Sequence, residues 1–169
     1  MTRSTRAVST FLLCSVALLT LAADKPKSLL KKDPAKPASW QFEQHEGGKG
    51  AMKADDDAIL FDVTAVDGEA WHVQTFMHDT PFTEGKEYTL TYKAKADPAR
   101  SITATATIDE DDWHAIGLQE DAELTKDWKE QTHTFKAENV TKPAKNRLGF
   151  FLGNEKGKVW IKDLTLTEK

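Results

Sequence analysis

Cysteine is all but missing from this 169-residue chain; the only one is Cys14, inside an apolar stretch near the N-terminus. No disulfide framework is available, so a stable fold has to rest on a hydrophobic core. The parts of a nucleophilic catalyst are missing too. Beyond residue 23 there is no cysteine, and Ser28, Ser39 and Ser101 stand in no Gly-x-Ser-x-Gly setting. With no activated nucleophile in sight, a serine or cysteine hydrolase is excluded. No glycine-rich phosphate loop occurs, and no EF-hand pattern. His45, His72, His78, His114 and His133 include no His-x-x-x-His pair, the spacing that would bring two imidazoles to one zinc. Positive charge is also short: 23 Lys and Arg face 27 Asp and Glu, a net −4. An acidic chain has no electrostatic footprint for nucleic acid or anionic lipid.

The N-terminus reads as an address. Arg3 and Arg6 precede the apolar run FLLCSVALLTLAA, and small Ala22 and Ala23 stand before Asp24. Residues 1–23 are therefore expected to be a signal peptide, and the protein to be secreted, periplasmic or extracellular. The apolar run is shorter than the ~20 residues of a spanning helix, which leaves a membrane anchor as the alternative. Leu13 stands where a lipidated cysteine normally follows a small residue, so Cys14 does not read as a lipid attachment site. Losing residues 1–23 removes Arg3 and Arg6 and leaves 21 basic against 27 acidic residues, a net −6. No membrane span is expected in what remains.

Residues 24–39, DKPKSLLKKDPAKPAS, hold three prolines and five lysines and read as a tether, with Leu29 and Leu30 able to pin a short first strand. From Trp40 to residue 169 one domain is expected; the roughly 145 residues that remain without residues 1–23 suffice to bury around two-thirds of the unfolded surface. Here the hydrophobic period is two. Tyr88, Leu90, Tyr92, Ala94 and Ala96 alternate with Thr89, Thr91, Lys93 and Lys95; Ile102, Ala104, Ala106 and Ile108 alternate with Thr103, Thr105 and Thr107. Such alternation marks antiparallel strands with one face inward. Further runs cover Ile59–Thr64, Ala70–His78, Trp128–Ala137, Arg147–Gly153 and Lys158–Thr167. Turn signals at Asp67-Gly68, Glu84-Gly85, Asp97-Pro98, Lys142-Pro143 and Asn154 to Gly157 separate them. No segment holds a helical period and no repeat is visible. Seven to nine short strands so punctuated predict an all-β, antiparallel β-sandwich. On that parity Thr103, Thr105 and Thr107 line an outer, hydroxyl-bearing face.

Acidic runs at Asp55–Asp57 and Asp109–Asp112 read as solvated loop charge that discourages edge pairing. Nothing places two carboxyl groups across a cleft as glycoside hydrolysis needs, so the protein is not expected to be an enzyme. The five tryptophans, Trp40, Trp71, Trp113, Trp128 and Trp160, are many for this size. Indole rings stack on the apolar C–H face of a sugar while amides and hydroxyls read its OH groups; the alternative for each is a place in the core. Trp113 follows Asp109-Glu110-Asp111-Asp112, a run too polar for the interior, and is expected to be exposed.

The segments WHVQTF from Trp71, EGKEYTLTYKAKA from Glu84, LTKDWK from Leu124, LGFFLG from Leu148 and GKVWIKDLTL from Gly157 together resemble the carbohydrate-binding modules of the four, nine and twenty-two group. The resemblance spans Trp40 to Thr167. It implies a jelly roll of galactose-binding-like topology whose concave face binds β-glucan, xylan or similar polysaccharide or oligosaccharide without cleaving it, as a monomer. Carried over by residue, it implies that Gln74 and His72 face the cleft, that Trp113 supplies a loop aromatic, that Thr105 lies on the cleft side and that Phe151 points outward as a ligand contact. The opening strand lacks the family's calcium-holding Glu pattern, and Lys162-Asp163 stands where Asp-Asp is common, leaving Asp163 as a candidate for a structural calcium; no other cofactor is implied. The competing reading is an envelope, adhesion or protein-interaction domain on the same scaffold without sugar binding.

Overall fold

The computed structural model describes residues 27–110, 112–141 and 145–169, so the expected signal peptide lies outside the described residues. Ten strands are present among the described residues: β1 Gln41–Gln44, β2 Lys49–Asp55, β3 Ala58–Ala65, β4 Val73–His78, β5 Glu87–Asp97, β6 Arg100–Ile108, β7 Ala115–Leu124, β8 Lys129–Lys136, β9 Asn146–Phe151 and β10 Gly157–Glu168. They form two five-stranded sheets, ordered β1-β4-β9-β6-β7 and β2-β3-β10-β5-β8. Neighbours pair antiparallel throughout. The fold is the expected β-sandwich of jelly-roll type.

The two-residue period explains the packing. Tyr88, Leu90, Tyr92, Ala94 and Ala96 of β5 are fully buried, as are Ile102, Ala104 and Ala106 of β6. The alanines leave room for large rings from the opposite side, and Phe150 meets Tyr92 edge-on at 4.9 Å. Trp40 is a core residue, 6.0 Å from Phe61 and 6.2 Å from Phe150. Close packing of this kind gives a sandwich its rigidity.

Three strands escape the sequence pattern. β1 is four residues long, β2 carries a weak apolar signal, and β7 is interrupted by Glu120, Asp121 and a register shift near Gly117. The expected strand Ala70–His78 is divided: Ala70–His72 form one turn of 3-10 helix before β4 begins. The described part of the Lys/Pro-rich stretch lies against the sandwich. Leu29 N–H donates to the Leu166 carbonyl, Leu29 and Leu30 pack on the core, and the Trp40 indole N–H donates to the Pro34 carbonyl. The threonine face also differs from expectation. Thr103, Thr105 and Thr107 are only 8%, 4% and 3% exposed, because the Thr103 hydroxyl donates to Asp121 and Thr107 accepts from Arg147.

Candidate functional site

Strand register arranges the outer face of the first sheet in rows. Glu43, Gln74, Phe151, Thr103 and Asp121 are successive cross-strand partners over all five strands. Gln41, Phe76, Gly149, Thr105 and Gln119 form the next row, and His78, Arg147 and Thr107 a third. Directly opposed residues share a face, so these side chains rise from one surface. Gly149 leaves the middle of that surface low. A Cβ there would stand 2.1 Å from the Thr75 carbonyl oxygen, so the close approach of β4 to β9 requires glycine.

Over this floor lies a cavity of about 380 Å³ lined by Glu43, His45, Trp71, Gln74, Trp113, Arg147 and Phe151. Trp71 and Trp113 are the exposed large aromatics, at 43% and 50%. The register sets them at opposite ends of the strands: Trp71 precedes Gln74 in β4, whereas Trp113 follows the end of β6 beside Arg147.

Each tryptophan has its own mount. The turn bearing Trp71 is tied down by Asp67, whose carboxylate accepts from the Gly47 N–H at 2.8 Å and from His72 Nδ1 at 2.7 Å. That histidine hydrogen bond, with the backbone donors, holds the Asp67 pKa below its ordinary value. Gly153 N–H donates to Ala70 O and His45 N–H to His72 O, fixing the turn to the neighbouring strands. The His45 ring lies 5.3 Å from the Trp71 ring.

Trp113 has φ +54°, in the left-handed region that the tight loop imposes. Against its ring, at 4.6 Å, lies the Arg147 guanidinium, which also lies over the Phe76 ring at 4.2 Å. Arg147 Nε–H donates to Thr107 Oγ1 at 2.8 Å and its Nη1 is 3.8 Å from the Asp109 carboxylate. Burial lowers the arginine pKa, opposed by Asp109 and Glu43; it remains a cation. The adjacent His114 donates from Nε2 to the Asn139 carbonyl at 2.9 Å and from Nδ1 to Asp112 at 2.7 Å. Two donor bonds require the imidazolium, and the Asn139 carbonyl, with Asp112, raises its pKa.

Between the tryptophans the polar groups converge. Gln74 Nε2 donates to Glu43 Oε2 at 3.1 Å and lies 3.3 Å from His45 Nε2, which is itself 3.3 Å from Glu43. Phe151 supplies an apolar, half-buried patch beside Gln74.

Of the residues expected at a site, Gln74, Trp113 and Phe151 are brought together. His72 and Thr105 are not: His72 is buried against Asp67 as a support for the Trp71 turn, and Thr105 lies in the covered threonine row. Asp163 is elsewhere, at a bulge of β10 in the second sheet, with its carboxylate 2.9 Å from Lys93 Nζ. Calcium needs several oxygen ligands. Among the described residues no group of three or more His, Cys, Asp or Glu is placed to hold a metal.

The sequence reading missed Glu43, His45, Trp71 and Arg147. One of these carried a legible signal: Arg147 shares parity with Gly149 and Phe151. Trp71 is misplaced by any unbroken strand, because the helical turn resets its direction.

A family model described as a carbohydrate binding domain matches residues 36–157. The chain belongs to the carbohydrate-binding domain family. It is a non-catalytic carbohydrate-binding module. Solved structures share its fold. One is a CBM4 domain, with TM-score 0.67 and 22% identity over 86% of this chain and 96% of that one. Another is the second N-terminal cellulose-binding domain of Cellulomonas fimi β-1,4-glucanase C, with TM-score 0.67 and 19% identity over 85% and 95%. A third is the CBM22-1 xylan-binding domain of Paenibacillus barcinonensis Xyn10C, with TM-score 0.60 and 12% identity over 87% and 97%. No curated protein matches the chain. In this carbohydrate-binding domain the cavity of the first sheet is the surface with both open aromatic faces and convergent polar groups. Among the described residues no helix is long and apolar enough to cross a membrane.

Proposed function

We propose that this domain binds a polysaccharide of the β-glucan or xylan class in the cavity of its first sheet, as a secreted protein. The observation that carries the reading is the meeting of Trp71, Phe151 and Trp113 with Glu43, Gln74 and Arg147 around one open cavity. Sugar rings stack on the two indoles, Phe151 receives an apolar C–H face between them, and the amide, carboxylate and guanidinium pair with hydroxyl groups. Desolvating a large flat aromatic while retaining directed hydrogen bonds is the physical basis of such recognition. The described structures of cellulose- and xylan-binding domains support the ligand class. Contacts of this kind give millimolar to micromolar affinity, on the order of −4 to −8 kcal/mol.

Affinity electrophoresis in gels containing soluble cellulose derivatives, mixed-linkage glucan or xylan tests the reading. Retardation of the wild type in at least one gel, and its loss in Trp71→Ala and Trp113→Ala, is the expected result. Wild-type mobility unchanged in every gel overturns it.

A further inference from the structure

The cavity lining holds one carboxylate, Glu43, and one guanidinium, Arg147, and the two are engaged to different degrees. Among the described residues lining it, Arg147 carries the only fixed positive charge, and that charge is engaged. The guanidinium lies over the rings of both Phe76 and Trp113, Thr107 accepts from Nε, and Asp109 is the near carboxylate. Glu43 feels the Arg147 charge across the cavity but makes no ion pair with it. Its neighbours are the amides of Gln41 and Gln74 and the His45 ring. A carboxylate side chain 30% exposed therefore lines the same cavity as an open indole face, that of Trp71. Further along the same row of side chains, at the opposite edge of the sheet, stands another carboxylate, Asp121, which accepts from Thr103.

A carboxylate beside an indole is the environment that recognises an organic ammonium group, through ion pairing and through the electrostatic attraction of a cation to the ring face. We infer that the cavity favours a β-linked glycan bearing free amino groups, a hexosamine chain on a glucan-type backbone, with Glu43 as the residue that reads the amine. This inference rests on the proposed function and deepens it. The ring-stacking geometry is common to the neutral and the amino sugar, and Glu43 adds selectivity between them. The same charge disfavours glycans carrying uronic acid, whose carboxylates would be brought against Glu43 and Asp121.

The test is titration calorimetry of the whole chain with three hexamers: glucosamine with its amines protonated, the same chain fully N-acetylated, and cellohexaose. The glucosamine hexamer is expected to bind about five- to tenfold more tightly than the two neutral ones. Glu43→Gln keeps the shape of the side chain and removes its charge; within that variant the glucosamine hexamer is expected to bind no more tightly than cellohexaose. Asp163→Asn, the same change of charge on the second sheet, should preserve the preference and so separates a local reading of the amine from the acidity of the whole protein. Equal or weaker binding of the glucosamine hexamer, or a preference that survives Glu43→Gln, overturns the inference. In that event the cellohexaose titration and the gel retardation still report separately on the proposed function.

Discussion

The outer faces of the two sheets use the same residue for opposite ends. On the first sheet Trp71 and Trp113 stay exposed around a cavity, Trp71 against the rings of His45 and His72 and Trp113 against the Arg147 guanidinium. On the second sheet Trp128 and Trp160 are half-buried and their ring faces are taken. Lys95 Nζ lies 5.0 Å from one ring centroid and 4.8 Å from the other, and Lys162 Nζ lies 4.5 Å over Trp128 while also pairing with Asp57. The Trp160 N–H donates to Asp55. A tryptophan is a platform for sugar only while a face remains uncommitted, so the number of tryptophans on a sheet says little about what the sheet binds.

The comparison can be broken most severely at the floor of the cavity. Gly149→Val forces a side chain against the Thr75 carbonyl and pushes β4 from β9. A loss of about 3–5 kcal/mol is expected, read as a large fall in Tm by circular dichroism, together with loss of glycan retention. Next in size is a matched pair. Arg147→Met removes the cation beneath Trp113 and is expected to weaken glycan binding about tenfold or more, whereas Lys95→Met costs about 0.5–1 kcal/mol of stability and leaves glycan affinity unchanged. Equal losses of affinity in both variants would erase the distinction between the faces.

Smaller effects sharpen the account of how the platforms are held. Asp67→Asn keeps the size of the side chain but weakens the tie to His72, and about a threefold loss of affinity is expected with little change in Tm. For His114 the sign follows from its raised pKa. Its imidazolium bonds are fully present below the ordinary value of 6.5 and are lost as pH rises through the higher folded value. Glycan affinity is therefore expected to fall about two- to threefold as pH rises across that range, and His114→Gln should flatten the profile in pH-resolved affinity electrophoresis.

Much of the sandwich was legible because alternation in β5 and β6 has a single physical meaning when one face is buried. The exposure of Trp113 was legible for a different reason: no core accommodates four consecutive acidic residues. What escaped the reading turns on local geometry and pairing. One helical turn at Ala70–His72 separates Trp71 and His72 from the parity of Gln74, so His72 reads as a cleft residue and Trp71 does not. β1 is too short to announce itself, and Glu43 and His45 went unnoticed with it. The threonines of β6 do point outward, as their alternation requires, but partners on neighbouring strands close over Thr103 and Thr107. Periodicity gives the direction of a side chain; what stands above it depends on strands distant in sequence.

The lysine caps over Trp128 and Trp160 also make the molecule one-sided. Adsorbed on a polysaccharide through its first sheet, each domain turns toward solvent a face whose indoles are screened by ammonium groups and flanked by carboxylates. A second copy arriving from solution meets charge there instead of bare aromatic surface. Coverage of a polymer should therefore end at a single layer, with domains side by side in one orientation and no tendency to pile front to back.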